Sequence, residues 1–275
     1  MTRLGEIRDR FRREAVDRNL NPRDVDLLLC EVLDRPTTYL ISHAEDPLSA
    51  EQVDRFTALL QRRFRGEPLQ YIQGRTEFYS REFVVDGRVL IPRPETELLV
   101  ERALGLAPDG GAVVDVGTGS GCIGITLERE RPDLRVLALD RSFDALMVAR
   151  MNRDRLGSRA LLLGSDLLSA IRGPVDMIVS NPPYIPADEV RGLDPVVREW
   201  EPAMALTPGA HGTEVIESLF KSGGDLLNDS GRMIFEIGFG QESAVRGLAA
   251  RLGWRVEEML SDLAGIPRVV VSSRS

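Results

Sequence analysis

The sequence predicts an α/β protein, a mainly parallel, doubly wound sheet preceded by a small helical domain. Three observations carry this expectation. From Ala112 onward, short apolar runs alternate with helical patterns. A glycine-rich stretch, Gly117 to Gly124, directly follows the first of those runs. The residues before Gly74, by contrast, show helical periodicity throughout.

In the N-terminal region Leu4, Ile7, Phe11 and Ala15 recur at helical spacing, and Val25, Leu28, Leu29 and Val32 continue an apolar face. Between them, Asn21-Pro22 followed by Asp24 reads as a cap and first turn. Ser49-Ala50-Glu51-Gln52 is a capping-box pattern. It opens a helix carrying Val53, Phe56, Leu59 and Leu60 that ends near Gly66. No catalytic constellation occurs here, so partner recognition or a plain scaffold extension remain the two readings. Next, Phe83 to Ile91 reads as two short strands around Asp86-Gly87, a hairpin signal. Pro92-Arg93-Pro94-Glu95-Thr96-Glu97 then forms a rigid, charged entry to a helix with Leu98, Leu99 and Val100. The expected division is residues 1–73 as a helical domain, 74–92 as a β-hairpin linker and 93–275 as the sheet domain. Within the last, strands are expected at Ala112 to Val116, Arg135 to Asp140, Ala160 to Gly164, Val175 to Ser180 and Arg232 to Ile237. Two more are expected at Trp254 to Met259 and Arg268 to Ser272.

Composition narrows the function classes. Hydrophobic residues make up 43% and charged residues 28% of the 275, an ordinary globular balance with no apolar stretch of membrane-spanning length. The N-terminus lacks the apolar segment of a secretory signal, so the cytoplasm is the expected compartment. Cys30 and Cys122 lie far apart, and His43 and His211 are the only histidines, which argues against a disulfide framework or a metal site. The net charge of −8 arises after Arg75, because the first 75 residues hold equal numbers of basic and acidic side chains. Without a basic block, direct nucleic-acid binding is disfavoured.

Chemistry concentrates at strand ends. Asp115-Val116-Gly117-Thr118-Gly119-Ser120-Gly121 lets the backbone turn sharply and approach a ligand. The helix behind it offers free N–H groups. Gly119, Gly121 and Gly124 also satisfy the spacing of a dinucleotide-binding loop. Asp115, however, would repel a pyrophosphate and welcome an ammonium group, as carried by S-adenosyl-L-methionine. Asp140, ending the next strand, is placed to accept from ribose hydroxyls. After the third, Asp166 could take an adenine amino group while Leu167 packs on the ring. The fourth strand runs into Asn181-Pro182-Pro183-Tyr184. Two prolines remove two donors and stiffen the loop, leaving carbonyls free beside an amide and an aromatic ring. Such a loop suits a planar –NH2 group held by both hydrogens.

These elements together resemble the class I S-adenosyl-L-methionine-dependent methyltransferases that act on amide or amine nitrogens. Three further segments narrow the match: Glu67 to Gly74, Leu90 to Glu97 and Glu201-Pro202-Ala203-Met204-Ala205-Leu206. With the helical N-terminus they resemble the protein-(glutamine-N5) methyltransferases of peptide chain release factors, the HemK/PrmC family. Glu95 stands where relatives often carry Asp, keeping the carboxylate. The resemblance implies a Rossmann-like, seven-stranded sheet and a helical domain that helps dock the substrate. That substrate would be the glutamine of the Gly-Gly-Gln loop in class 1 release factors, and a monomer is expected. It also implies cofactor contacts from Gly117 to Gly121, Asp140, Leu167 and Asn181. Asn181, Pro182, Pro183 and Tyr184 would hold the glutamine, with Asn181, Pro182 and Tyr184 in the catalytic roles. A glutamine methyltransferase acting on a ribosomal protein, or an adenine-N6 enzyme, is the alternative reading.

Overall fold

The computed structural model describes residues 2–275. It divides into two compact units, Met1–Gly74 with Pro195–Trp200, and Arg75–Asp194 with Glu201–Ser275. The return of Pro195–Trp200 to the helical unit has no counterpart in the sequence pattern.

The helical unit contains α1 (Leu4–Asp17), α2 (Arg23–Leu33), α3 (Thr37–Ser42), α4 (Ala50–Phe64) and α5 (Leu69–Gln73). Its core gathers Leu4, Ile7, Val25, Leu28, Leu29, Phe56 and Leu60 from the predicted faces. The Asn21 side chain accepts from the Arg23 N–H at 2.9 Å, one residue earlier than a standard cap. The capping box is formed: Ser49 Oγ accepts from the Gln52 N–H, and Gln52 Oε1 accepts from the Ser49 N–H. Asp24, expected only as a first-turn acid, also pairs with Arg63 at 2.7 Å.

The larger unit opens with an antiparallel hairpin, β1 (Arg75–Phe78) and β2 (Arg81–Val84). This corrects the expected hairpin about Asp86-Gly87. The turn is Tyr79-Ser80, with both residues left-handed (φ 49° and 57°), the combination that matches strand twist. Neither residue type signals that conformation. Asp86 instead closes a local turn by accepting from the Arg88 N–H and guanidinium. Val85, Val89 and Ile91 are buried, so the apolar alternation reflects packing rather than strand pairing.

There follow α6 (Glu97–Leu106), β3 (Ala112–Val116), α7 (Cys122–Glu130), β4 (Arg135–Asp140), α8 (Phe143–Leu156), β5 (Leu161–Gly164) and β6 (Val175–Ser180). After α9 (Pro195–Trp200) come α10 (Ala203–Leu206), α11 (Glu214–Gly223), β7 (Leu227–Glu236), α12 (Glu242–Arg251), β8 (Trp254–Ser261) and β9 (Pro267–Arg274). The seven strands lie in the order β5-β4-β3-β6-β7-β9-β8. Only β9 runs antiparallel to the other six strands, pairing with β7 on one side and β8 on the other. Successive residues serve opposite faces: Val113, Val179 and Ile234 enter one core, while Val114, Ile178 and Phe235 enter the other. Chain order reverses direction at β3, which places a crevice at the carboxyl ends of β3 and β6.

One glycine links this packing to the crevice. A Cβ on Gly124 of α7 would lie 2.9 Å from Asp115 Oδ2 and 3.4 Å from the Ala138 Cβ. Gly124→Ala should therefore destabilise the fold by about 1–3 kcal/mol through overpacking, visible as a lower denaturant midpoint. An unchanged midpoint would show that α7 can shift away from β3.

Candidate active site

A cavity of about 460 Å³ opens at the ends of β3, β4, β5 and β6. Its floor is the loop leaving β3. Gly117, Gly119 and Gly121 have φ of 72°, 55° and 84°, a region that favours glycine. The Gly117 and Thr118 N–H groups both donate to the Leu139 carbonyl, at 2.9 and 2.8 Å. The Gly119 N–H donates to Asp140 Oδ2 at 2.9 Å. Thus the end of β4 holds the loop after β3.

Asp115 lies behind that loop, fully buried. Its Oδ2 accepts from the Thr118 hydroxyl at 2.6 Å and the Gly124 N–H at 2.9 Å. Its Oδ1 is buried with no hydrogen-bond partner. Burial pushes this carboxyl up to about 6, against the pull of its two donors. Asp140 is also raised by burial, opposed by the N–H groups of Ser142 and Gly119. Beyond β5, the Ser165 hydroxyl donates to the Leu167 carbonyl at 2.9 Å. Leu167 takes a left-handed φ of 47°, uncommon for a branched apolar residue, and faces the cavity beside Asp166.

The other wall begins at β6. The Ser180 hydroxyl donates to the Val116 carbonyl at 2.8 Å, fastening the ends of β6 and β3 together. Asn181 Nδ2 donates to Thr96 Oγ1 at 3.1 Å, and that hydroxyl donates to Glu236 Oε2 at 2.6 Å. The Tyr184 hydroxyl is 3.3 Å from Glu236 Oε1. Its carbonyl accepts from Gln241 Nε2 at 2.9 Å. Burial raises the phenol, and the Glu236 charge adds to that shift. Arg93 pairs with the buried Glu201 at 2.5 Å, and the Ile91 N–H donates to the same carboxylate. These contacts bring the Leu90–Glu97 segment to Glu201–Leu206.

Of the residues singled out in the sequence, Gly117, Thr118, Gly119, Ser120, Asp140, Asp166, Leu167, Asn181, Pro182 and Pro183 line the cavity. Asp115, Gly121 and Tyr184 lie behind that lining, and the Tyr184 hydroxyl is turned toward Glu236. Sequence reasoning passed over Thr96 and Glu236, each 2% exposed. The one signal for Glu236 is its place at the end of an apolar run, Met233-Ile234-Phe235, the strand-end position that also marks Asp140.

A seven-stranded sheet in this order, with a glycine loop after β3 and an acid ending β4, defines a class I methyltransferase. Residues 6–74 match the family described as PrmC N-terminal domain, and residues 94–193 that described as Methyltransferase small domain. The release factor glutamine methyltransferase of Koribacter versatilis (strain Ellin345) is 41% identical over 265 residues, covering 95% of this chain and 94% of its own. That of Geobacter sulfurreducens is 39% identical over 239 residues, covering 86% and 84%. The chain belongs to the release factor glutamine methyltransferase family. In fold it also resembles the crystal structure of a methyltransferase from Pyrococcus furiosus, with a TM-score of 0.55 at 17% identity, covering 71% of this chain and 89% of that one. No described helix is long and apolar enough to cross a membrane.

Proposed function

We propose that this protein methylates the side-chain amide nitrogen of the glutamine in the Gly-Gly-Gln loop of class 1 release factors, using S-adenosyl-L-methionine. The observation carrying this reading is the juxtaposition, in one cavity, of the loop after β3, the Asp140 carboxylate and the Asn181-Pro182-Pro183 segment. Family membership supplies the substrate.

The cavity residues fit the cofactor. Asp115 offers an unpartnered, buried carboxylate oxygen behind the glycine loop, which suits an ammonium group. Asp140 would accept from ribose hydroxyls with the lone pairs left over from its two backbone donors. Asp166 and Leu167 would receive the adenine amino group and ring. Bound there, the cofactor supplies an electrophilic sulfonium methyl, which the amide nitrogen takes while losing one proton to solvent and leaving S-adenosylhomocysteine.

An amide nitrogen is a poor nucleophile because its lone pair is delocalised into the carbonyl. Its two N–H groups both need acceptors once water is excluded. Asn181 Oδ1 would take one and the Pro182 carbonyl the other, fixing the nitrogen for attack and allowing it to pyramidalise. Tyr184, anchored through its hydroxyl and its carbonyl, keeps the proline loop in place. The helical unit would contribute to docking the release factor.

The direct test incubates a purified release factor with the enzyme and cofactor, then locates the added methyl by peptide mass spectrometry. Methylation confined to the Gly-Gly-Gln glutamine is expected; an unmodified release factor would refute the reading. A second test concerns Asp115. A bound ammonium lowers its pKa, so below about pH 6 binding must expel a proton. S-adenosylhomocysteine affinity should then fall as pH falls, by up to about tenfold per pH unit. Asp115→Asn should flatten that slope in calorimetry. A wild-type affinity that does not change with pH rules out the ammonium contact.

A further inference from the structure

We propose that Thr96 and Glu236 are positioning residues that fix which end of the Asn181 side chain faces the substrate amide. The inference rests on the amide-methylation reading and adds a reason for the orientation that reading requires.

An Asn side chain has a carbonyl end and an NH2 end of nearly the same shape, so packing alone selects poorly between them. Only the carbonyl end can accept from a substrate N–H. Thr96 Oγ1 carries a single proton and lies between two groups, Glu236 Oε2 at 2.6 Å and Asn181 Nδ2 at 3.1 Å. Burial raises the Glu236 carboxyl, while the hydroxyls of Thr96 and Tyr184, one on each oxygen, favour its charged form. In that form it accepts only, so the Thr96 proton goes to Glu236. What remains toward Asn181 is a lone pair, and only the NH2 end can satisfy it. The carbonyl end is thereby left for the substrate.

With the amide reversed, Glu236 Oε2 and Asn181 Oδ1 would compete for one hydroxyl proton in a buried setting. One acceptor would go without a partner. The second Glu236 oxygen accepts from Tyr184, which closes the far end of the relay. Thr96 and Glu236 stand 140 residues apart in the chain and are both buried, with Thr96 also lining the cavity. The short polar chain running out from the reacting position therefore has a defined polarity: Asn181 to Thr96 to Glu236.

Polarity can be tested separately from packing. Asn181→Asp would place a second acceptor against the Thr96 lone pair, and kcat should fall by about a hundredfold. Adding Glu236→Gln supplies an NH2 donor to Thr96, freeing its hydroxyl to donate to the new carboxylate. That double variant should recover at least about tenfold over Asn181→Asp. Thr96→Val should lower kcat by at least about tenfold with the release factor KM and S-adenosylhomocysteine affinity unchanged, and Thr96→Ser should restore most of the rate. In substrate-free enzyme, nitrogen–proton NMR should show slow exchange of the Asn181 side-chain protons, becoming fast in Thr96→Val. The relay is overturned if Asn181→Asp keeps near-normal turnover, or if the double variant is no better than the single one. Unchanged Asn181 exchange in Thr96→Val overturns it too, even if the wild-type enzyme modifies no release factor. That last failure of the wild type would strike the substrate reading instead.

Discussion

Replacing Asn181 by alanine is expected to lower kcat roughly a thousandfold, about 4 kcal/mol of transition-state stabilisation. The loss has two sources. One substrate N–H would lose its proposed acceptor, and the nitrogen would lose the restraint that aligns it for attack. Thr96 would also lose its donor, although its bond to Glu236 remains. Cofactor affinity, by contrast, should change by less than about threefold, because the glycine loop and Asp140 are held from β3 and β4. Single-turnover kinetics with saturating cofactor separate the two quantities. A variant retaining a tenth or more of the wild-type rate would remove Asn181 from the reaction.

Asp140→Ala should act on the opposite ledge of the cavity, weakening S-adenosylhomocysteine binding roughly a hundredfold, about 3 kcal/mol. Here too one side chain serves two purposes. Its carboxylate receives the Gly119 N–H and the Ser142 N–H, so truncation releases the floor of the cavity as well as the proposed ribose contact. Asp140→Asn keeps one acceptor oxygen and should give an intermediate loss. At saturating cofactor, kcat for Asp140→Ala should stay within a few-fold of wild type, since no part of it faces the amide loop. Wild-type affinity in the alanine variant would mean that the ribose is held elsewhere.

The parts of the fold that could be read from the sequence are those whose pattern is local. β3, β4 and β6 have the expected limits because strands buried on both faces are continuous apolar runs, bounded by turn residues. β7 begins at Leu227 rather than Arg232, since its early residues pair across an irregularity opposite Val175–Met177 and carry polar side chains. β8 and β9 are each longer than their apolar centres, extended by antiparallel pairing that tolerates exposed residues. The hairpin was displaced because two left-handed residues, Tyr79 and Ser80, make the turn while Asp86-Gly87 carries the familiar signature.

The site divides in the same way. Glycines, strand-end acids and the proline loop announce themselves by residue type and position. Thr96 does not, and Glu236 does so only by position, because their roles lie in a contact between distant segments. An isolated Thr in a helix entry reads as a cap, and an isolated Glu at a strand end reads as solvated. Burial beside Asn181 changes both readings.

The parallel pairing of β3 with β6 has an evolutionary consequence. The glycine loop and the proline loop leave adjacent strands, with Val116 opposite Ser180, so their starting points stand one rung of a ladder apart, about 4.8 Å. Backbone pairing, rather than any replaceable side chain, sets that spacing. Segments that choose a client protein can therefore be exchanged on this scaffold while the spacing between the loops after β3 and β6 stays the same.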